Sequence, residues 1–192
     1  MSRVVVASAS VKTARQQGRL APVRLEHAVL RTTELRPMVD WYLTVLQAEV
    51  TFANASIAFL SYDEQNHRIA LVARPGTVPR QPNSAGLDHL AFTYADEGEL
   101  VATYERLKGN CIAPSRSIDH GSSTSLYYLD PDGNQIELKV DSFSSPEEQF
   151  EYMHSEEFAR NPLGTSFDPD EWADAYPIPT RRPTDRSIAR EP

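Results

Sequence analysis

The chain reads as an α+β protein: two βαβββ modules forming curved mixed sheets around a cavity, with a helix and a tail added at the C-terminal end. Three observations predict this. Leu25-Glu26-His27-Ala28-Val29-Leu30 and Leu87-Asp88-His89-Leu90-Ala91-Phe92 repeat one pattern: apolar, acid, His, then three apolar residues. Each copy leads into a stretch of helical periodicity and then into three short strand-like segments. A break rich in turn formers, Gly76-Thr77-Val78-Pro79 with Pro82-Asn83-Ser84, separates the copies.

Taken in order, residues 24–31 alternate loosely and predict a strand. Arg36 to Gln47 carries Met38, Trp41, Tyr42, Val45 and Leu46 at helical spacing, with Pro37 where a first turn tolerates it. Strands are expected at 48–54, 56–62 and 67–73. The second copy opens with a strand at 87–94 and a helix at 97–108, which puts Leu100, Tyr104 and Leu107 on one face and Gly109-Asn110 at its stop. Strands at 111–117, 123–129 and 134–140 follow. Asp130-Pro131-Asp132-Gly133-Asn134 supplies the turn between the last two. Beyond Ser145 an amphipathic helix is expected over 146–160, then a loop over 161–176 anchored by Leu163, Phe167 and Trp172. The organisation is therefore a flexible arm (1–22), a two-module domain (23–142, modules 23–76 and 86–142), a C-terminal helix with a lid-like tail (143–176) and a proline- and charge-rich end (177–192) expected to be disordered.

The 192 residues carry a formal net charge of −8, which argues against nucleic acid and anionic membranes as partners. No stretch approaches the roughly 20 apolar residues of a membrane span. One cysteine, Cys111, excludes an intramolecular disulfide framework and suits a reducing, cytoplasmic setting. Arg3, Lys12, Arg15 and Arg19 with no acid before Glu26 leave a transit peptide open as an alternative reading of the arm.

Glu137 lies inside an apolar strand, where a carboxylate is costly unless paired or metal-bound. Together with His27 and His89 at equivalent points of the two first strands, it suggests a three-ligand metal site, so the cavity is read as metal-binding. Aligning 67–73 with 134–140 sets Ile69 against Ile136 and Leu71 against Leu138, and Ala70 then stands where Glu137 stands. An alanine cannot ligate, and three ligands on one face leave adjacent open positions. His120, ahead of Gly121 in a loop, is expected at the pocket rim. His154 is assigned to helix surface or packing. Phe59, Phe92, Leu126, Leu163 and Phe167 are candidates for an apolar wall.

The duplicated pattern, the apolar-acid-His starts and the ending Leu126-Tyr127-Tyr128-Leu129-Asp130-Pro131-Asp132-Gly133-Asn134-Gln135-Ile136-Glu137-Leu138 resemble the vicinal oxygen chelate superfamily of glyoxalases, bleomycin-resistance proteins and ring-cleaving dioxygenases. The resemblance covers about residues 22–142. Segments 66–72, 119–128 and 161–169 look most like an extradiol dioxygenase. That resemblance implies Fe(II), or Mn(II), held by His27, His89 and Glu137. It also implies a catechol-type substrate and O2, with His67 as acid–base and Tyr127, ten positions before Glu137, hydrogen-bonded to a substrate hydroxyl. His120 joins these two as a catalytic candidate. The alternatives are a metal-dependent isomerase, epimerase or lyase of the same superfamily, a non-catalytic binding protein, or a biosynthetic oxygenase acting on a catechol-like natural product. Members of this kind often dimerise, so a homodimer is an expected state. One copy carries both halves, however, so a monomer holding a whole site is the other.

Overall fold

The computed structural model describes residues 12–81 and 84–176. The first part of the expected arm and the tail 177–192 lie outside the described residues. The first module runs β1 (Ala28–Thr32), α1 (Leu35–Leu46), β2 (Glu49–Ala53), β3 (Ile57–Ser61) and β4 (Ile69–Ala73). The second runs β5 (His89–Thr93), α2 (Glu97–Gly109), β6 (Arg116–Asp119), β7 (Ser123–Leu129) and β8 (Gln135–Asp141). After them come α3 (Pro146–Met153), α4 (Glu156–Arg160), β9 (Thr165–Ser166) and α5 (Pro169–Ala175). The architecture is the expected α+β arrangement of two mixed sheets.

The helices form where periodicity and caps agree. In α1, Met38, Tyr42 and Val45 recur on one face and are buried, and the helix ends at Gln47 in the left-handed region. In α2, the Asp96 side chain accepts from the Glu99 backbone N–H, acids occupy the first turn, and Arg106 and Lys108 occupy the last.

The sheets have strand orders β1-β4-β3-β2 and β5-β8-β7-β6-β9. In each the first strand lies parallel to the last of its module, and the other pairs are antiparallel. The two registers match. Val29 pairs with Ala70, which pairs with Phe59; Ala91 pairs with Glu137, which pairs with Tyr127. Ala70 and Glu137 are thus equivalent positions.

Alternation sorts each sheet into two faces. Leu30, Leu60 and Leu71 of the first sheet and Leu126, Tyr128, Ile136 and Leu138 of the second join Met38, Tyr42, Leu100 and Leu107 in one core. The modules meet through their helices and turns. The buried Tyr42 hydroxyl donates to Asp130 Oδ2 at 3.1 Å, and Arg106 donates to the carbonyls of Thr44 and Val45 at the end of α1. A bond of the Tyr42 kind contributes about 1 kcal/mol net, and more is lost if one partner is left buried alone. The opposite face of each sheet turns away from the helices and carries the candidate site.

Some boundaries differ from expectation. β6 begins at Arg116, not at 111: α2 is closed by Cys111 at φ 60° and by Ile112 N–H donating to Leu107 O, and Pro114 then lacks a donor. The helix expected over 146–160 is split, because the Ser155 side chain caps a new turn by accepting from Phe158 N–H. The loop expected over 161–176 contains β9 and α5, the latter capped by Asp168. His27 and His67 each precede their strands by a residue or two.

Candidate active site

On the second sheet and its β6–β7 turn, four predicted residues form one row of close polar contacts. His89 at the start of β5 points Nε2 at Glu137 Oε2, 3.0 Å away. The Tyr127 hydroxyl donates to Glu137 Oε1 at 3.0 Å, and His120 Nε2 lies 3.0 Å from the same hydroxyl. Glu137 is buried on the interior strand β8, and Tyr127 beside it on the central strand β7 is buried too. Period-two geometry puts Tyr127 on the open face and Tyr128 on the core face. Burial first, and then the Glu137 carboxylate, push the Tyr127 phenol up to about 12, so it remains a donor at neutral pH.

The donor set fits a divalent cation. His89 Nδ1 lies 2.7 Å from Asp88 Oδ2 while Nε2 faces Glu137. Both ring nitrogens therefore face carboxylates. A neutral imidazole carries one N–H and satisfies one of these contacts. A divalent cation between Nε2 and Glu137 would relieve the other, as a second proton on the imidazole also would.

The remaining predicted residues gather on the first sheet. The rings of His27 and His67 lie 4.4 Å apart, and Phe59 stacks on His67 at 4.6 Å. His27 is exposed, and Ala70 sits beneath Phe59 in the register. His27 also borders a cavity of about 260 Å³ with Tyr62, Arg68, Leu90 and Phe92; that lining includes none of His89, Tyr127 and Glu137. Among the described residues, no three His, Cys, Asp or Glu side chains of one chain gather to hold a metal ion. One copy therefore brings together His89, Glu137, Tyr127 and His120, and separately His27 and His67. It does not join the two groups.

The apolar-wall expectations need correction. Leu126 faces the core on the helix side of β7, since it alternates with Tyr127. Phe92 lies edge-on to Tyr62 at the cavity between modules, and Phe167 packs on Trp172. Phe59 alone stands beside a site residue, and Leu163 is exposed. His154, at the C-terminal end of α3, packs on Phe150, as expected.

Three contributors escaped sequence reasoning. Arg116 sits 4.0 Å above the Tyr127 ring, which only the β6–β7 register could reveal. Asp88 orients His89; its signal, an acid directly before each repeated histidine, was present, but Glu26 in the other copy pairs with Arg24 instead. Ser125, on the face of Tyr127, has a buried hydroxyl with no partner among the described residues.

Known proteins resemble this chain in sequence and in fold. Residues 24–138 match the profile of the Glyoxalase/Bleomycin resistance protein/Dioxygenase superfamily. Two curated relatives from Rhodococcus globerulus, biphenyl-2,3-diol 1,2-dioxygenases 2 and 3, are each 45% identical, over 78% and 80% of this chain and 79% and 82% of theirs. A glyoxalase/bleomycin resistance protein/dioxygenase domain from a Frankia species shares the fold with a TM-score of 0.53 and 20% identity, over 63% of this chain and 99% of that one. No helix among the described residues is long and apolar enough to cross a membrane.

Proposed function

The chain belongs to the Glyoxalase/Bleomycin resistance protein/Dioxygenase superfamily, and from that premise we propose that it is a metal-dependent extradiol dioxygenase that opens the ring of a catechol-type substrate with O2. The observation that carries the reading is the row His89–Glu137–Tyr127–His120 on the open face of the second sheet. His27, His89 and Glu137 hold the metal, Fe(II) or, with the same donors, Mn(II). When bound, it supplies a chelation point for the two vicinal oxygens of the substrate and for O2. Both atoms of O2 enter the product as a ring carbon–carbon bond beside the diol breaks.

The protein's own groups do the rest. Tyr127, protonated at neutral pH, turns its one proton from Glu137 to a substrate oxygen and stabilises charge as it develops there. His120 holds the Tyr127 hydroxyl in place. His67, stacked on Phe59, takes a proton from the substrate hydroxyl and returns one later, a task suited to an imidazole. Phe59 offers its face to the aryl ring. The exposed thiol of Cys111 suits a reducing cytoplasm.

The separation of the two groups within one chain is resolved by a homodimer in which His27 and His67 of one copy meet His89 and Glu137 of the other. The unpaired edges of β1 and β5 and the exposed apolar residues on the open faces, Val29, Phe52 and Leu129, support this arrangement.

The test is oxygen uptake by anaerobically Fe(II)-loaded protein offered a panel of substituted catechols, with His67→Ala and Glu137→Ala alongside. Uptake with a yellow ring-opened product, lost in both variants, is the expected result. Tight catechol binding without uptake across the panel would falsify the dioxygenase assignment and favour an isomerase or lyase of the same superfamily.

A further inference from the structure

His120 reaches Tyr127 from the turn between β6 and β7, a place where loops ordinarily move. Within the turn, His120 N–H donates to Ser123 O at 2.9 Å and Gly121 N–H to Asp119 Oδ1 at 2.7 Å. Two elements from beyond residue 138, where the superfamily profile ends, press on it from outside. On one side is Tyr152 of α3. A Cβ at Gly121 would lie 1.8 Å from the Tyr152 hydroxyl oxygen and 2.6 Å from Cζ, so the phenol rests on the bare backbone beside His120. Tyr152 is itself packed against Phe143 and Phe158, with ring centroids at 5.3 and 5.9 Å. On the other side is Gly164, at φ +80°. A Cβ there would lie 2.4 Å from Asp119 O and 2.9 Å from the His120 Cα. The next residues pair as β9 with β6, Asp119 with Thr165 and Ile118 with Ser166, and Phe167 N–H then donates to Ser117 O at 3.2 Å.

We infer that the segment 143–167 is a brace that positions His120, with Gly121 and Gly164 as its two contact points. This rests on the dioxygenase reading for its catalytic consequence, though not for its geometry. Covering the β6 edge would need only β9. Close approach at two glycines beside His120 does more: at Gly164 the tail backbone lies against the Asp119–His120 backbone, and at Gly121 the Tyr152 ring rests on the turn. The product of this confinement is His120 Nε2 held 3.0 Å from the Tyr127 hydroxyl, which in turn holds Glu137. His120 is therefore fixed from outside the duplicated domain, and the C-terminal segment is coupled to the site through one imidazole.

The experiment compares wild type, Gly164→Ala and Tyr152→Ala. Histidine labelled with ¹⁵N reports the Nε2 resonance of His120, assigned through His120→Gln, together with the nuclear Overhauser contact to the Tyr127 ring. Catechol-dependent oxygen uptake of the Fe(II)-loaded protein is measured in parallel. In Gly164→Ala the His120 resonance moves, the contact to Tyr127 weakens, and kcat falls about tenfold or more with KM within about twofold. Asp174→Ala, exposed on α5 just beyond that segment, changes neither readout. A folded Gly164→Ala protein with an unmoved His120 resonance and unchanged kcat overturns the brace. Should Gly164→Ala fail to fold, Tyr152→Phe and Tyr152→Ala decide by the same two readouts, since they leave the tail backbone intact. If His120 moves in the variants while wild type cleaves no catechol, the brace stands and the dioxygenase reading falls. If wild type cleaves and the variants match it in both readouts, the reverse holds.

Discussion

The two modules share one register and present opposite chemistry on their open faces. In the first, the row across the sheet is Val29, Ala70, Phe59 and Phe52; in the second, it is Ala91, Glu137, Tyr127 and Arg116. A carboxylate thus stands where the first module has a methyl group. A phenol stands where it has a phenyl ring, and a guanidinium where it has a second phenyl ring. The histidine at the start of each first strand is kept in both. One further exchange runs the other way: His67, three residues before Ala70, occupies the place of Asn134, three before Glu137. The duplicated scaffold fixes where side chains stand, and the divergence decides what each half contributes. The second half concentrates the charged and hydrogen-bonding groups, while the first offers two histidines and aromatic surface. Ala70 is the telling position, because a glutamate there would add a fourth donor and close a coordination position.

The sharpest way to break this division of labour is to disable each half separately and mix the products. His27→Ala and Glu137→Ala each remove a proposed ligand and should lower activity well over a hundredfold, since even partners outside the ligand shell cost about ten- to a hundredfold. If the halves of a site come from two copies, random mixing makes half of the dimers mixed. Each mixed dimer holds one intact site of two, so about a quarter of wild-type activity returns. No recovery after subunit exchange, with sedimentation showing a monomer, would sink the shared site.

Why some of this was legible in the sequence and some was not follows from what each feature depends on. The repeat, α1, α2 and the pairing of Ala70 with Glu137 as equivalents rest on local periodicity, which a single chain displays. His89 stood out by the repeat and Glu137 as an acid within an apolar strand, while Tyr127 came from the ten-residue spacing that the family resemblance implies. α5 was not foreseen, although Asp168-Pro169 is a capping signal followed by a first-turn proline; the helix is seven residues long and buries only Ala173, so it leaves no periodic trace. The break at Ser155 came from a competing cap. The separation of His27 from Glu137 could not be read from sequence, because it depends on how the modules pack through Tyr42, Asp130 and Arg106, contacts spanning 61 to 88 residues of chain.

A smaller change sharpens the comparison by making the second module resemble the first. Tyr127→Phe places a phenyl ring where Phe59 stands in the other half. Glu137 Oε1 then loses its donor, and His120 loses its partner. The expected loss is roughly a hundredfold in kcat, in keeping with removal of one preorganised donor. Because Glu137 is less firmly held, metal affinity should also fall about tenfold, measurable by competition with a chelator. Full activity with unchanged metal affinity would mean that Tyr127 merely packs, as Phe59 does.

The smallest effect concerns an asymmetry at the helices: α2 is covered by α5, which follows the second module. The link is Asp170, which accepts from the Tyr104 hydroxyl at 2.5 Å and from Lys108, while Trp172 Nε1 donates to Glu97 at 2.7 Å. The hydrogen bond from Lys108, and then that from Tyr104, hold the Asp170 carboxyl below the usual carboxylate range. A folded-state pKa lowered in this way contributes stability that is fully present above the unfolded value. That stability is lost as pH falls through the folded one. Asp170 is exposed, so the contribution is screened and small. Acidifying the protein below the ordinary aspartate range should therefore loosen α5 before the sheets open, seen as a change in the emission of Trp172. Asp170→Asn should show that change already at neutral pH and lose its pH dependence, with Trp41→Phe in both backgrounds to isolate the signal. An unaltered Trp172 emission in Asp170→Asn would show that Trp172 and the buried Ala173 hold α5 by packing alone.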